Sequence, residues 1–557
     1  MASDLCTRRF VALCVLAGVL SIVVILDYSG YPFPAHQLWI LEYHLRNQDL
    51  AGSALLVTLV VAACFAPARR AALELVDAIS RHPWRTACVT FIVLCLGTLF
   101  IEHNHPLAQD EYAALFQSQV FAAGRLTGQF PPELLGRLIP PFYMNQFLYG
   151  SFQTGEVASA YWPGFALILA PFSLVHAPWA CNPLLASLAL VPMGRIATRL
   201  TGEPQAGGWA MLLALASPAF TAMAITYFSM TAHLLFNLIF VWLLLERTTA
   251  RLVLAGVVGS FALILHNPLP HALFALPWIV WLALQPQRYR KLLALAAGYL
   301  PITLAVGFGW TLLLGDIQGN TLYGLYPFEG NAFERAANFV WIWHIKMRTA
   351  LAGPGDNVVS TRIAELSRLW NWAVPGLPLL AAAGWWLGRP RPELRLLGLS
   401  MLCTAAGYFF IGFNQGQGWG ARYLHPAWAT LPILASVALV RMSPGHACER
   451  LRGYVASLTV LSLVFATALR ASQIHDYVER HLANRPPTLP GIRQIVFVTH
   501  DWPSYSSDLV QNDPFLRNKA WFMFSVDSKR DAELMRARFP GARLVHSDRR
   551  GQVWRLE

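Results

Sequence analysis

The sequence predicts an all-α polytopic membrane protein of about thirteen transmembrane helices, with interfacial helices in its first long external loop and a small C-terminal α/β soluble domain. Three observations predict it. Of 557 residues, 55% are hydrophobic and only 13% are charged, about half the roughly 25% charged residues of a soluble domain. Apolar runs long enough to cross a bilayer recur along most of the chain. From about residue 485 the composition turns to that of a small soluble unit.

Charge and cysteines narrow the class. The formal net charge is +12, but the arginines cluster in short loops between apolar runs, which the positive-inside rule explains with no nucleic acid. Only four of the 42 basic residues are lysines, a usage that fits a GC-rich bacterial genome. Eight cysteines (6, 14, 64, 88, 95, 181, 403 and 448) fall mostly in or beside apolar runs, none with CxxC spacing. That argues against a disulfide framework or a cysteine zinc site. The opening "TRRFVALCVLAGVLSIVVIL" has the twin arginines of an export signal in Arg8 and Arg9. No small-residue cleavage site follows and many more apolar runs do, so it reads as a first anchored span.

In order, the spans lie near 9–26, 51–67, 86–101, 180–198, 206–222, 226–246, 251–265, 269–285, 292–314, 375–388, 395–412, 424–441 and 454–470. Thirteen crossings put the two chain ends on opposite sides. The basic segments "ARRAALELVDAISRHPWR", "GRIATRLTGEPQ", "ERTTAR", "QPQRYRK", "GRPRPELR" and "RMSPGHACERLRG" share one side, which the positive-inside rule makes cytoplasmic. The loops 102–179 and 315–374 and the C-terminal region then lie outside, with the N-terminus in the cytoplasm. The run "YWPGFALILAPFSLV" (161–175) is short, and counting it as a crossing reverses several basic loops. With Pro163 and Pro171 it reads as re-entrant or interfacial. The chain divides into two extra N-terminal helices (1–85), a main membrane part (86–484) and an external unit (485–557). In that unit "IRQIVFVTH" and "KAWFMFSV" read as strands, "SKRDAELMRARF" as a helix and the end as a hairpin. About 70 residues give a marginal core, so the unit is expected to dock on the membrane part. The chain shows no fixed-period repeat, low-complexity tract or long disordered linker.

The stretch "HPLAQDEYAALFQSQVFAAGRL" is the chemically distinctive one. Asp110 and Glu111 stand just beyond an apolar run, where a carboxylate is costly unless paired, solvated or used. Tyr112, Leu115, Phe116 and Val120 then recur at helical intervals, with Gln117 and Ser118 between them and Arg125 beyond, as in an amphipathic helix lying along the membrane surface. Asp110 reads equally as the N-cap of that helix, a position that also fixes a carboxylate's orientation.

A long first external loop that opens with Asp-Glu and continues into an amphipathic helix ending "AAGRL" resembles the GT-C glycosyltransferases. It is most similar to the protein O-mannosyltransferase and lipid A aminoarabinose transferase branch (family 39-like). "YWPGFALILAPF", "SPAFTAMAITYFSMTAHLLFNLIFVWLLLE", "GWGARYLHPAWATLPIL" and the C-terminal unit follow in the matching order, covering most of 86–557. The two spans before residue 86 depart from the usual arrangement, but an even number leaves the acidic loop on the same side. The resemblance implies an enzyme that takes a sugar from a polyprenyl-phosphate carrier on the external face, with Asp110 as the base for the acceptor hydroxyl. Such a base contributes ~10²–10⁴-fold. Glu111 would orient the acceptor or a nearby cation.

The leaving phosphate needs positive charge. Arg422, in "NQGQGWGARYLHPAW", lies among glycines that allow close backbone approach, and its guanidinium can hold two phosphate oxygens. Its alternative is a snorkelling interfacial arginine. Lys346 and Arg348, with His344 in "WIWHIKMRTALAGPGDN", are further phosphate-binding candidates, or part of an aromatic interfacial anchor. His103 and His105 offer a divalent-metal or acceptor site, against which stands the commoner solvated loop histidine. His233 reads as a hydrogen-bonded core histidine, and "HNPLPH" (266–271) as a short external turn.

The sequence therefore points to an inverting glycosyltransferase of the bacterial inner membrane, with a lipid-linked donor and a glycolipid, polysaccharide or protein acceptor. A transporter or flippase of lipid-linked sugars, or a glycan ligase, is the alternative. A transporter is expected to carry inverted repeats and midplane binding residues, and here the polar residues concentrate in one external loop.

Overall fold

The computed structural model describes residues 2–30, 39–66, 69–317, 331, 334, 358–411, 415–442, 446–500 and 505–556. Helices occupy each of the thirteen predicted spans. Among the described residues, six are long and apolar enough to cross a bilayer alone, and eight if two bent pairs each count as one span. The bends fall between Pro204–Leu215 and Pro218–Ala224, at 67°, and between Arg422–Trp428 and Thr430–Arg441, at 48°. The remaining apolar helices are short, such as Met230–Leu244 and Leu377–Leu387. Proline explains much of this segmentation. Pro83, Pro204, Pro218, Pro270, Pro378, Pro392 and Pro426 each sit in the first turn of a helix, where the missing N–H has no intrahelical partner to lose.

Two helices occupy segments that read as loops. Arg69–Arg81 lies within a basic segment and buries Ala72, Val76 and Ile79, a 3–4 spacing that makes one face apolar. Val358–Asn371 lies in the predicted second external loop and carries Arg368, which is completely buried. Asp49, from the second helical span, makes ion pairs with Arg368 at 2.9 Å and Arg470 at 3.1 Å. It also accepts a hydrogen bond from Trp372 Nε1 at 2.7 Å. Arg470 in turn donates to Asn371 O at 2.9 Å and Gln473 Oε1 at 2.8 Å. Only glycine fits at position 52, because a Cβ there would stand 2.2 Å from Arg470 Nη2. This network ties the two N-terminal helices into the rest of the bundle.

The loop 102–179 is built. Helix Gln109–Ala122 packs on the short helix Gly164–Leu174, with Ser118 Oγ and Ser173 Oγ 2.7 Å apart. The eleven residues of Gly164–Leu174 span about 16 Å, roughly half a bilayer core. Between these helices Gly128–Gln129, Glu156–Ser159 and Leu148–Gly150 form a small antiparallel sheet with Glu156–Ser159 in the middle. The expected surface-lying helix differs in one respect. Gln117 and Ser118 are buried along with Tyr112, Phe116 and Val120, so protein covers both faces.

The cover on one face is the C-terminal unit. Its four-stranded sheet runs Ala520–Phe524, Gln494–Val498, Gly551–Arg555, Arg543–Asp548, with only the first pair parallel. Helix Ser528–Arg538 follows the Ala520–Phe524 strand and is capped by Asp527, which accepts from the Lys529 and Arg530 backbone N–H groups. Ile495, Phe497, Met523 and Trp554 share one apolar cluster with Tyr112, Phe116, Val120 and Phe130. A unit this small completes its core with residues of the 102–179 loop.

Candidate active site

Asp110 occupies the second position of its helix, not the cap. The N-cap is Ala108, and the acid that reaches back is Glu111. Glu111 Oε2 accepts from the backbone N–H groups of Leu107 at 3.0 Å and Ala108 at 3.2 Å, the carboxylate half of a capping box. Its other oxygen accepts from Tyr227 N at 2.7 Å. Both oxygens are thus held by backbone donors, and the side chain is sealed. Burial pushes its carboxyl up to about 7, against the pull of those backbone bonds. Glu102, also sealed, is raised well above the ordinary value by burial and by the charge of Glu111. The capping alternative for Asp110 therefore belongs to Glu111.

Asp110 is free of that duty and faces side chains instead. Arg422 Nη1 donates to its Oδ2 at 2.9 Å, and the Tyr161 hydroxyl donates to its Oδ1. Its side chain is 19% exposed, against 5% for Arg422. Burial pushes the Asp110 carboxyl up, but the charge of Arg422, the nearby His266 and the two donated bonds outweigh it and hold it below the usual carboxylate value. Asp110 is therefore ionised.

Arg422 is positioned by a loop that folds back on itself. Gly416, Gly418 and Gly420 all have positive φ, at 61°, 121° and 61°, which side chains with a Cβ rarely adopt. Gln415 closes the loop. Its Oε1 accepts from Arg422 N at 3.0 Å, its Nε2 donates to Gly420 O at 2.8 Å, and its carbonyl accepts from Arg422 Nη2. The guanidinium lies 4.3 Å from the Phe228 ring centroid. Arg422 is thus a buried, directed cation and does not snorkel to the interface.

A narrow cleft opens beside Asp110, with about 10 Å³ of free room, the scale of one water molecule. Tyr161, Trp162, Ser159, Gln117, Ser229 and His266 are among its lining residues. His266, in the turn expected at 266–271, stacks on Tyr161 with ring centroids 3.8 Å apart. Burial pushes its imidazole down to about 4, so it is neutral at pH 7. The C-terminal unit adds Asp508, buried near the site and pushed up to about 8 by burial, with Asp110 and Glu111 adding to the rise.

Other sequence candidates lie elsewhere. His103 Nε2 stands 3.0 Å from His475 Nδ1, and the rings stack 4.7 Å apart. His105 lies 6.2 Å from His481 and is pushed down to about 3 by burial and by His481. Neither lines the Asp110 cleft, and no group of three or more His, Cys, Asp or Glu among the described residues is arranged to hold a metal. Lys346 and Arg348, with His344, lie outside the described residues. His233 is buried as expected, but among the described residues neither ring nitrogen has a hydrogen-bond partner, which corrects the reading of a hydrogen-bonded core histidine.

Sequence reasoning missed Tyr161, His266, Gln415 and Asp508. Tyr161 opens the quoted run "YWPGF" and Gln415 sits in "NQGQG", so both motifs were visible without their roles. No signal marked Asp508.

No protein-family model matches the chain, and no curated protein matches it. Two solved structures are similar to it over most of both chains. One is the crystal structure of ArnT from Cupriavidus metallidurans bound to undecaprenyl phosphate, at 15% identity and TM-score 0.48, covering 85% of this chain and 98% of that one. The other is the same protein in the apo state, at 13% identity and TM-score 0.47, covering 84% and 97%.

Proposed function

We propose that the chain is an inverting glycosyltransferase that moves a sugar from a polyprenyl-phosphate carrier to a hydroxyl acceptor at the external face of a bacterial inner membrane. The observation that carries this reading is Asp110. It is an ionised carboxylate, part-exposed on a cleft, and held by an arginine able to exchange it for phosphate. In the reaction Asp110 takes the proton of the acceptor hydroxyl, and that oxygen forms the new bond to the anomeric carbon. The bond from that carbon to the phosphate oxygen breaks on the opposite face, and the lipid phosphate leaves as an anion. A single displacement of this kind inverts the anomeric centre.

Arg422 links the two halves of the step. While it pairs with Asp110 it keeps the carboxylate a weak base. A donor phosphate competes for the same guanidinium, because Arg binds phosphate and carboxylate through the same fork. As Arg422 turns toward the phosphate, Asp110 loses its counter-charge and gains proton affinity, which moves it toward the range useful to a general base. Donor binding thus switches on the base. Glu111 fixes the first turn of the helix. Lys346 and Arg348 are further phosphate ligands in this reading.

In this reading the chain has two extra helices (1–85), a catalytic membrane part (86–484) and an external unit (485–557), with the N-terminus in the cytoplasm. The test compares glycolipids and glycoproteins of a deletion strain with wild type, then asks whether the wild-type chain and Asp110→Asn restore the missing species. Restoration by wild type alone is expected. Unchanged profiles in the deletion strain, or full restoration by Asp110→Asn, overturn the proposal.

A further inference from the structure

We propose that the C-terminal unit is a working part of the transfer site, with Tyr112 and Asn512 as positioning residues that fix the first turn of the Asp110 helix against Arg422 and Tyr161. The inference rests on the reading of Asp110 as the base, and concerns what holds that base in register.

The contact is specific and polar. The Tyr112 hydroxyl donates to Asn512 O at 2.7 Å and accepts from Asn512 N at 2.8 Å. The Asn512 side chain is locked in turn to the Ala520–Phe524 strand, donating to Phe522 O and accepting from Phe522 N, both at 2.8 Å. One residue thus couples the backbone of the external sheet to a side chain two positions after Asp110. On either side, Gln109 Nε2 donates to Asp508 O at 3.1 Å and Gln511 Nε2 to Pro106 O at 2.7 Å. Further along, Gln129 N donates to Pro514 O at 2.8 Å. These bonds bracket residues 106–112, the segment that carries Asp110.

Packing alone does not require this. The shared apolar cluster would hold the unit on the loop, but apolar contacts are non-directional and leave small slides inexpensive. Asp110 receives one bond from Arg422 and one from Tyr161, and each arrives from a different part of the chain. Its carboxylate meets both donors only if its helix is fixed along its axis and about it. A misplacement of about 1 Å at a reacting group costs up to ~10²-fold in rate. The reciprocal Tyr112–Asn512 pair supplies that directional restraint.

The experiment uses the full-length protein and the donor and acceptor identified by profiling the deletion strain, with undecaprenyl phosphate as the binding probe. Tyr112→Phe keeps the ring in the core and removes both bonds of the pair. Turnover at saturating donor is expected to fall ~10-fold, with the undecaprenyl phosphate Kd and the half-saturating donor concentration within about twofold of wild type. Gln511→Ala, at the partly exposed end of the same contact, should lower turnover ~3-fold, and it decides the matter if Tyr112→Phe does not fold. Asp548→Asn, in the far hairpin, should leave turnover unchanged. Wild-type turnover in both Tyr112→Phe and Gln511→Ala overturns the positioning role. So does a loss fully matched by a loss of folded protein or of undecaprenyl phosphate affinity. Full activity in Asp110→Asn instead overturns the assignment of the base.

Discussion

The chain contains two acid–arginine clusters that are alike in chemistry and opposite in setting. Asp49 with Arg368 and Arg470 is sealed, its side chains 0%, 0% and 3% exposed. Asp110 with Arg422 sits on a cleft, with the acid 19% exposed. In the first cluster two arginines share one carboxylate, and the Trp372 indole and the Asn371 carbonyl complete the set. In the second, one arginine and one tyrosine hold the acid, and the tyrosine lines the same cleft. A fully buried ion pair holds helices in place, even where one of its arginines, Arg470, borders an apolar cavity. An ion pair with one open side can be exchanged for a substrate, and that access separates a candidate site from a structural network of the same residue types.

The comparison predicts different failures. The largest effect is expected in the sealed cluster, where Asp49→Ala leaves two buried guanidinium groups without their counter-charge. Removing one partner of a buried ion pair costs about 3–5 kcal/mol, so the thermal midpoint should fall steeply and activity should fall only with the amount of folded protein. A stable Asp49→Ala protein with a specific loss of transfer would make this cluster part of the site.

Asp110→Asn comes next and should fail the other way. Asn keeps the size and removes the proton acceptor, so transfer is expected to fall ~10²-fold or more, about 2.7 kcal/mol in the barrier. The protein should still insert and bind undecaprenyl phosphate. If Asp110→Asn instead loses stability as Asp49→Ala does, the two clusters are equivalent and the cleft has no special role.

Arg422→Lys sharpens the contrast at a smaller scale. It keeps the charge and loses the planar fork that pairs Asp110 and reaches the phosphate. Undecaprenyl phosphate affinity should weaken ~10-fold, consistent with loss of a charge-assisted bond of about 1.5 kcal/mol. Wild-type affinity in both Arg422→Lys and Arg422→Ala would move the phosphate site to Lys346 and Arg348.

These clusters also show what a sequence reveals and what it hides. Asp110 and Arg422 were each visible, one as an acid beyond an apolar run and one as a lone cation among glycines. Their pairing was not, because 312 residues separate them and nothing local records the contact. Asp49 falls just before the start of a predicted span and carries no local signal of its role, because its two arginines come from helices more than 300 residues away. The capping role falls to Glu111 for a local reason. The helix begins at Gln109, two residues earlier than a cap at Asp110 requires, so the capping-box position falls on Glu111. Hydropathy located the helices well because the cost of burying bare backbone in lipid is set locally. It missed the helix Val358–Asn371, whose buried Arg368 is paired with the distant Asp49. The docking of the C-terminal unit followed from its small size, but its partner surface did not, since the Gln109–Ala122 helix looked half-exposed.

The last prediction separates the acids by pH. Asp508 is pushed up to about 8 and Glu111 to about 7, both chiefly by burial. A carboxyl raised in the folded chain binds its proton more tightly there than when unfolded. Its contribution to stability is complete below the ordinary carboxylate range and is lost as the pH rises through the folded value. Asp110 has the opposite sign. Its folded value is depressed, so its contribution is present at neutral pH and lost only as the solution turns acid. The thermal midpoint of the wild-type protein is therefore expected to decline between about pH 5 and pH 9. Asp508→Asn should flatten part of that decline, and Asp110→Asn should leave it in place. A midpoint that stays level across this range in the wild type, or a decline that Asp508→Asn does not change, would mean that Asp508 is not held protonated against the acids of the site. The polar contact between the C-terminal unit and the Asp110 helix would then carry no electrostatic coupling.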